Sequence, residues 1–305
     1  MAHKNLLLIL ACAVVATACG KTGADQVKAE PLPDAQVDAP SDAPPPDAKS
    51  DVAPQTACTK ALHGAKLVKL ATKAGLEYCM DQREVTAGEY SEFIQAKGGD
   101  TSGQIAACDW NVEWMAPFVK PDASEVVEGE CDARGYDPVS FPNRAVGCVD
   151  WCDATAYCAW AGKRLCGQVG GGMGTTQTMS DPDQSEWANA CTVQGSSKYP
   201  WGDSYTAGRC IDAVAIQQKG PAARDVTDVS GSLCHGATGA FAEIYDLVGS
   251  VQEWTAECET PGKGCAMHGF GSMAVTAVTC DPVVPPAHDV SYDIGFRCCA
   301  DVETQ

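Results

Sequence analysis

From Cys58 onward the chain carries sixteen cysteines, and that number constrains the fold more than any other feature. The full sequence of 305 residues holds eighteen; the other two, Cys12 and Cys19, lie in the N-terminal stretch. An even set of cysteines in an exported chain predicts a disulfide framework. A zinc centre is the rival reading, because Cys258, Cys265 and His268 are close in sequence. No CxxC pairs with a second CxxC, however, the five histidines are scattered, and an oxidising compartment favours bridges.

Export is written in the first residues. Lys4 supplies a positive start, and Leu6 to Val15 is an apolar run too short to span a bilayer as a mature helix, so residues 1–18 read as a signal peptide. Ala16-Thr17-Ala18 then precedes Cys19, as in the lipobox of bacterial lipoproteins, and the expectation is lipidation at Cys19. Ordinary secretory cleavage after Ala-x-Ala is the alternative, and it exports the protein equally. Gly20 places no aspartate after the cysteine, so the expected location is the outer membrane, on its periplasmic side or at the cell surface. Residues 19–57 are rich in Pro, Ala and Asp with almost no large apolar side chains, so they read as an extended, disordered tether. The formal charge of −19 argues against nucleic acid as a partner and leaves the lipid anchor as the route to the membrane.

The stretch from Cys148 to Cys166 reads as a helix to which bridges tie the rest. Asp150 caps it, Asp153 suits its N-terminus, and Trp151, Ala154, Thr155, Cys158 and Ala161 recur at helical spacing. Gly162 is a left-handed stop, and Lys163 and Arg164 stand where cations favour the helix C-terminus. Cys152 and Cys158 leave this helix in separated directions and cannot pair with each other. Earlier, Thr86 and Glu89 form a capping box, with Val85 and Tyr90 placed as its staple, Tyr90, Phe93 and Ile94 facing inward, and Gly98 as the stop. Later, Asp181-Pro182 opens a third helix in which Trp187, Ala190 and Cys191 face inward, and residues 294–299 form a final strand. The glycine run at 167–174 has neither GxGxxG spacing nor a P-loop lysine, and neither GxSxG nor HExxH occurs. One stretch suits a hard cation: Asp246 and Glu253 flank the glycine turn of YDLVGSVQE, and calcium prefers such a mix of carboxylates and carbonyls.

Taken together, EVTAGEYSEF, VDWCDATAYCAWAGKRL, SEWANAC, YPWGD, YDLVGSVQEWT and IGFRC stand in the order found in the formylglycine-generating enzyme (sulfatase-modifying factor) family, which the chain resembles from Cys58 to Ala300. The resemblance implies a single α+β domain over residues 58–305 with a C-type-lectin-like core and little regular secondary structure. It implies a structural calcium held by the Asp246 and Glu253 side chains and the Gly249 and Val251 carbonyls, with Asp212 a candidate for a second site. It also implies the bridges Cys158–Cys298 and Cys191–Cys280. Beside these, local bridges are expected at Cys58–Cys79, Cys108–Cys131, Cys210–Cys234 and Cys258–Cys265, leaving Cys148, Cys152, Cys166 and Cys299 to pair among themselves.

Members of that family oxidise a substrate cysteine to formylglycine with molecular oxygen, using copper(I) held by two cysteines five residues apart after Gly-Gly-Ser. Soft thiolates are what copper(I) requires. Here the segment is GFGSMAVTAVTC. An ungapped match puts Val275 and Cys280 at the two positions; a gapped match deletes the loop and makes Cys280 the structural partner of Cys191. Either leaves one thiolate at most. No catalytic residue is therefore assigned, Cys280 being one only if the chain is active with copper(I). The expected function is a membrane-anchored, calcium-stabilised, non-catalytic binding or scaffold module of the cell envelope with a protein, peptide or glycan ligand. The alternative is an atypical formylglycine-generating oxidase with Cys299 as its second thiol.

Overall fold

The computed structural model describes residues 56–59, 61–114, 131, 135–272, 279–285 and 289–304. The expected signal peptide, Cys19, nearly all of the expected tether and Val275 fall outside the described residues. Among the described residues, no helix is long and apolar enough to cross a membrane.

Among the described residues, three small sheets and four short helices make up the domain. Strands β1 (Thr56–Ala57) and β9 (Glu303–Thr304) pair antiparallel and bring the two ends of the domain together. Strands β2 (Leu67–Ala71), β3 (Glu77–Asp81), β4 (Arg164–Leu165) and β8 (Cys298–Ala300) form a second sheet in the order β2-β3-β8-β4. In the third, β5 (Gln252–Thr260) runs antiparallel to β6 (Lys263–His268) and parallel to β7 (Ile294–Phe296). The predicted final strand is thus two strands in two sheets. Arg297 is the break between them, fully buried at the seam.

The helix signals hold where side chains cap backbone. Helix α1 (Ala87–Lys97) starts at the reciprocal Thr86–Glu89 capping box, and Gly98 ends it in the left-handed region at φ 57°. Helix α2 (Trp151–Trp160) starts at a second such box, Asp150–Asp153. Its inward face includes Tyr157, while Thr155 is only half-buried. Lys163 does not sit at the helix end in water. Its ammonium is buried, 2.5 Å from Asp81 and 3.0 Å from the Ala65 carbonyl, because a buried cation needs an anion and acceptors. Arg164 likewise grips Glu186 and Asp301. Helix α3 (Glu186–Cys191) begins later than Asp181 suggests: Ser185 caps it and Asp181 holds the preceding turn.

The aromatic residues form the centre. Tyr90, Phe93, Trp151, Tyr157, Trp254 and Phe296 share one core between α1, α2 and the third sheet, and each such burial contributes roughly 1.5–3 kcal/mol. Met80, Trp187, Ile244 and Leu247 anchor a second core on the other side.

Among the described residues, seven disulfides tie these layers. Cys58–Cys79, Cys158–Cys298, Cys191–Cys280, Cys210–Cys234 and Cys258–Cys265 occur as expected, and Cys166 joins Cys299. The expected Cys108–Cys131 bridge is corrected: Cys108 joins Cys152. A single turn at Ala106–Cys108 lies against the first turn of α2, where the Asn111 amide donates to Asp153, so Cys152 is the sulfur in reach. Cys131 and Cys148, both buried, lie outside the seven bridges.

Candidate functional site

The segment that the family resemblance marks for chemistry follows Ser272. Cys280 is bridged to Cys191, and Cys299, the second thiol that an oxidase would need, is bridged to Cys166. Disulfide sulfur is not a thiolate and cannot serve as a copper(I) ligand. Among the described residues one group of three has metal-ligand spacing, Cys166, Glu186 and Cys299. Its two sulfurs are bonded to each other, and the Glu186 carboxylate takes Arg164 Nη1 and Nη2 at 2.7 and 2.6 Å.

Ser272 itself is placed by the turn before β5. Gly249 (φ 92°) and Ser250 (φ 60°) carry the chain against Ile211. The Ser250 amide donates to the Ile211 carbonyl at 2.7 Å, and the Ser272 amide donates to the Ser250 carbonyl at 2.8 Å. A Cβ at position 249 would lie 2.7 Å from the Ile211 oxygen, so only glycine permits this approach. The two serines face Arg144, Ala145, Ile211, Arg224, Val251 and Tyr292 across a small pocket. An antiparallel bridge between Arg144 and Asp225 sets the arginines side by side, with Val226 donating to the Asn143 carbonyl. The Arg144 guanidinium carbon lies over the Phe141 ring, 3.3 Å from its centroid. Burial, and then the like charge of Arg224, lowers the Arg144 pKa.

The two predicted carboxylate ligands, Asp246 and Glu253, lie beside Arg297. Its Nε and Nη2 each lie 2.7 Å from a Glu253 oxygen, Nη2 also donates to the Tyr245 carbonyl, and Nη1 donates to the Asp81 carbonyl. Trp187 Nε1 gives Glu253 a third donor at 2.8 Å. As a cation ligand Glu253 does not fit: the guanidinium occupies the face that a metal would take. Asp246 does fit. The residue is 4% exposed, and burial, against the pull of Arg297, pushes its pKa up to about 7. Glu84 adds a third carboxyl, fully buried with no donor on either oxygen and 3.8 Å from Arg297, and burial holds its pKa far above the ordinary range. Three buried carboxyls around one guanidinium call for protons or a further cation. Sequence spacing missed Glu84, although it stands two residues before Thr86, the N-cap of α1. Asp212 is engaged elsewhere: it caps α4 (Ala213–Lys219) and accepts from Gly208 and Tyr205.

Residues 71–302 match the sulfatase-modifying factor enzyme 1-like domain. The inactive C-alpha-formylglycine-generating enzyme 2 of Mus musculus is 32% identical over 210 residues, 60% of this chain and 59% of that protein. The formylglycine-generating enzyme of Streptomyces coelicolor is 29% identical over 60% of this chain and 58% of its own length. The hercynine oxygenase of Mycolicibacterium smegmatis is 29% identical over 59% of this chain and 37% of that protein. The chain thus spans less than two thirds of each of these relatives. With the match running through almost the whole described domain, the chain belongs to the sulfatase-modifying factor (FGE-sulfatase) family.

Proposed function

We propose that the domain is a non-catalytic member of its family, a binding module held at the outer membrane by a lipid on Cys19. The observation that carries this reading is the Cys191–Cys280 bridge, which removes the one thiol left on the family's catalytic segment. With Val275 at the other position, a hydrocarbon stands where a soft ligand is needed. Peptide mapping without reduction tests the reading. Every Cys280 peptide should be joined to Cys191; a fraction with a Cys280 thiol that binds copper(I) would overturn it.

Calcium belongs to the same proposal, on Asp246 with the Gly249 and Val251 carbonyls and water as the remaining ligands. Its role there is structural: a divalent cation offsets the excess negative charge that Asp246, Glu84 and Glu253 bury around Arg297. The support is the buried Asp246 carboxyl together with its neighbour Glu84, whose two carboxyl oxygens are buried with no hydrogen-bond partner.

A further inference from the structure

We propose that the groove between the outer face of α2 and the loop 102–114 holds the C-terminal aromatic residue of a peptide, its ring in the groove and its carboxylate on Lys97; the inference rests on the binding-module reading above. Three observations converge on it. First, the walls are fixed. Positions 152, 155, 156, 159 and 160 share one face of α2, as helical spacing dictates, and line one side. Ile105, Cys108 and Trp114 line the other, and the Cys108–Cys152 bridge joins the two. His63 stacks on Trp160 with ring centroids 3.9 Å apart, and Trp114 Nε1 donates to the Asp100 carbonyl at 3.2 Å. Both indoles are held before a ligand arrives, so little ordering is left for binding to supply.

Second, hydrogen-bonding groups of the lining are already engaged. The Gln104 amide donates to the Thr101 and Asn111 carbonyls at 3.0 and 2.9 Å, and the Thr155 hydroxyl donates to the Trp151 carbonyl at 2.8 Å. A sugar ring, whose hydroxyls need directed partners, gains little here. An apolar ring gains contact with two tryptophans, a disulfide and the Ala156 and Ala159 methyls. Third, Lys97 is the one charged side chain of the lining among the described residues. It ends α1 and reaches over Trp114, its ammonium 5.7 Å from the ring centroid. Asp100 feels this charge from an exposed position, where solvent screens the pair. A carboxylate entering beside Trp114 meets the same charge further from bulk water, where the attraction is stronger.

Size narrows the occupant. The groove measures about 280 Å³, just below the range of about 300–1,000 Å³ that takes drug-sized ligands. That is room for one aromatic residue and not two. One residue brings a ring and a carboxylate together only where a chain ends. A free aromatic amino acid would also carry an ammonium towards Lys97.

The test uses the whole exported chain with its disulfides intact and N-acetylphenylalanine as the probe. Its amide removes the charge, N-acetylalanine removes the ring, and free phenylalanine adds the ammonium; binding is followed by ligand-observed NMR or titration calorimetry. The expected result is saturable binding of N-acetylphenylalanine, about tenfold or more tighter than of the other three. Lys97→Gln should lower its affinity to that of the amide, because the charged partner is gone and the seat of the ring is not. Ala159→Phe, placed at an exposed position of α2, fills the groove and should abolish binding. Urea midpoints equal to that of the parent show that the variants fold, and Lys97→Gln decides alone if Ala159→Phe does not. Equal binding of the amide or of free phenylalanine, no saturable binding of N-acetylphenylalanine, or an affinity unchanged in a folded variant would each overturn the proposal. Failure here is distinct from failure of the non-catalytic reading, because the latter is read from the Cys280 thiol and not from peptide binding.

Discussion

Two bridges run from the α2–β4 region to β8, Cys158–Cys298 and Cys166–Cys299, spanning 140 and 133 residues of sequence. They close almost the same loop. In the chain-entropy treatment the first crosslink over such a loop stabilises the native state by about 5 kcal/mol. Once one is present, the second closes only a short ring, residues 158–166 joined through the sulfurs to 298–299. A ring of about ten residues gives about 2.7 kcal/mol by the same relation. Replacing either pair with alanine should therefore cost about 2.7 kcal/mol in crosslink entropy, and replacing both about 8, so the double loss exceeds the sum of the single losses by about 2 kcal/mol. All four cysteines are fully buried, so each substitution also loses packing. That loss belongs to each site and cancels in the cycle. Urea unfolding of Cys158→Ala/Cys298→Ala, of Cys166→Ala/Cys299→Ala and of the four-fold variant, at fixed pH and calcium, gives the coupling. Losses that simply add would refute the shared-loop account.

Three further perturbations follow from particular residues. Cys19→Ala should release the protein to the soluble fraction and abolish incorporation of labelled fatty acid; equal labelling of the variant would contradict the anchor. Chelation should lower the melting temperature, by the equivalent of about 2.7 kcal/mol at 100-fold saturation, and Asp246→Ala should abolish that response. A melting temperature indifferent to both excludes calcium there. Burial, against the opposing charge of Lys163, raises the Asp81 pKa from 3.8 to about 6. The native state then keeps a proton that the unfolded chain has lost, so this group's contribution to stability is full below pH 3.8 and falls as pH rises to about 6. Urea midpoints across that window should slope less in Asp81→Asn; an identical slope would place the titration elsewhere.

Much of the fold was legible wherever a side chain answers its own backbone. The Thr86–Glu89 and Asp150–Asp153 boxes are local, and so are the Cys58–Cys79, Cys210–Cys234 and Cys258–Cys265 bridges. The errors came from contacts far apart in sequence. Cys108 passes over Cys131 because Asn111 docks its loop on α2, a contact across 42 residues that spacing does not reveal. Lys163 looked like a helix-end cation, yet Asp81 comes to meet it from β3. The ion pair that Glu253 makes was not legible, since Arg297 reaches that carboxylate from the seam between β7 and β8. The arginine pocket left no sequence signal, because Arg144, Arg224 and Ser272 come from three separate segments.

The central claim is that the family's oxidative chemistry is absent from this domain. It is tested most directly by mass spectrometry of a Cys-x-Pro-x-Arg peptide incubated with the protein and oxygen, with and without copper(I). The account predicts an unchanged cysteine in every reaction, and the same with Val275→Cys, because Cys280 stays bridged to Cys191. Copper-dependent conversion of that cysteine to the aldehyde by the unmodified protein would contradict it.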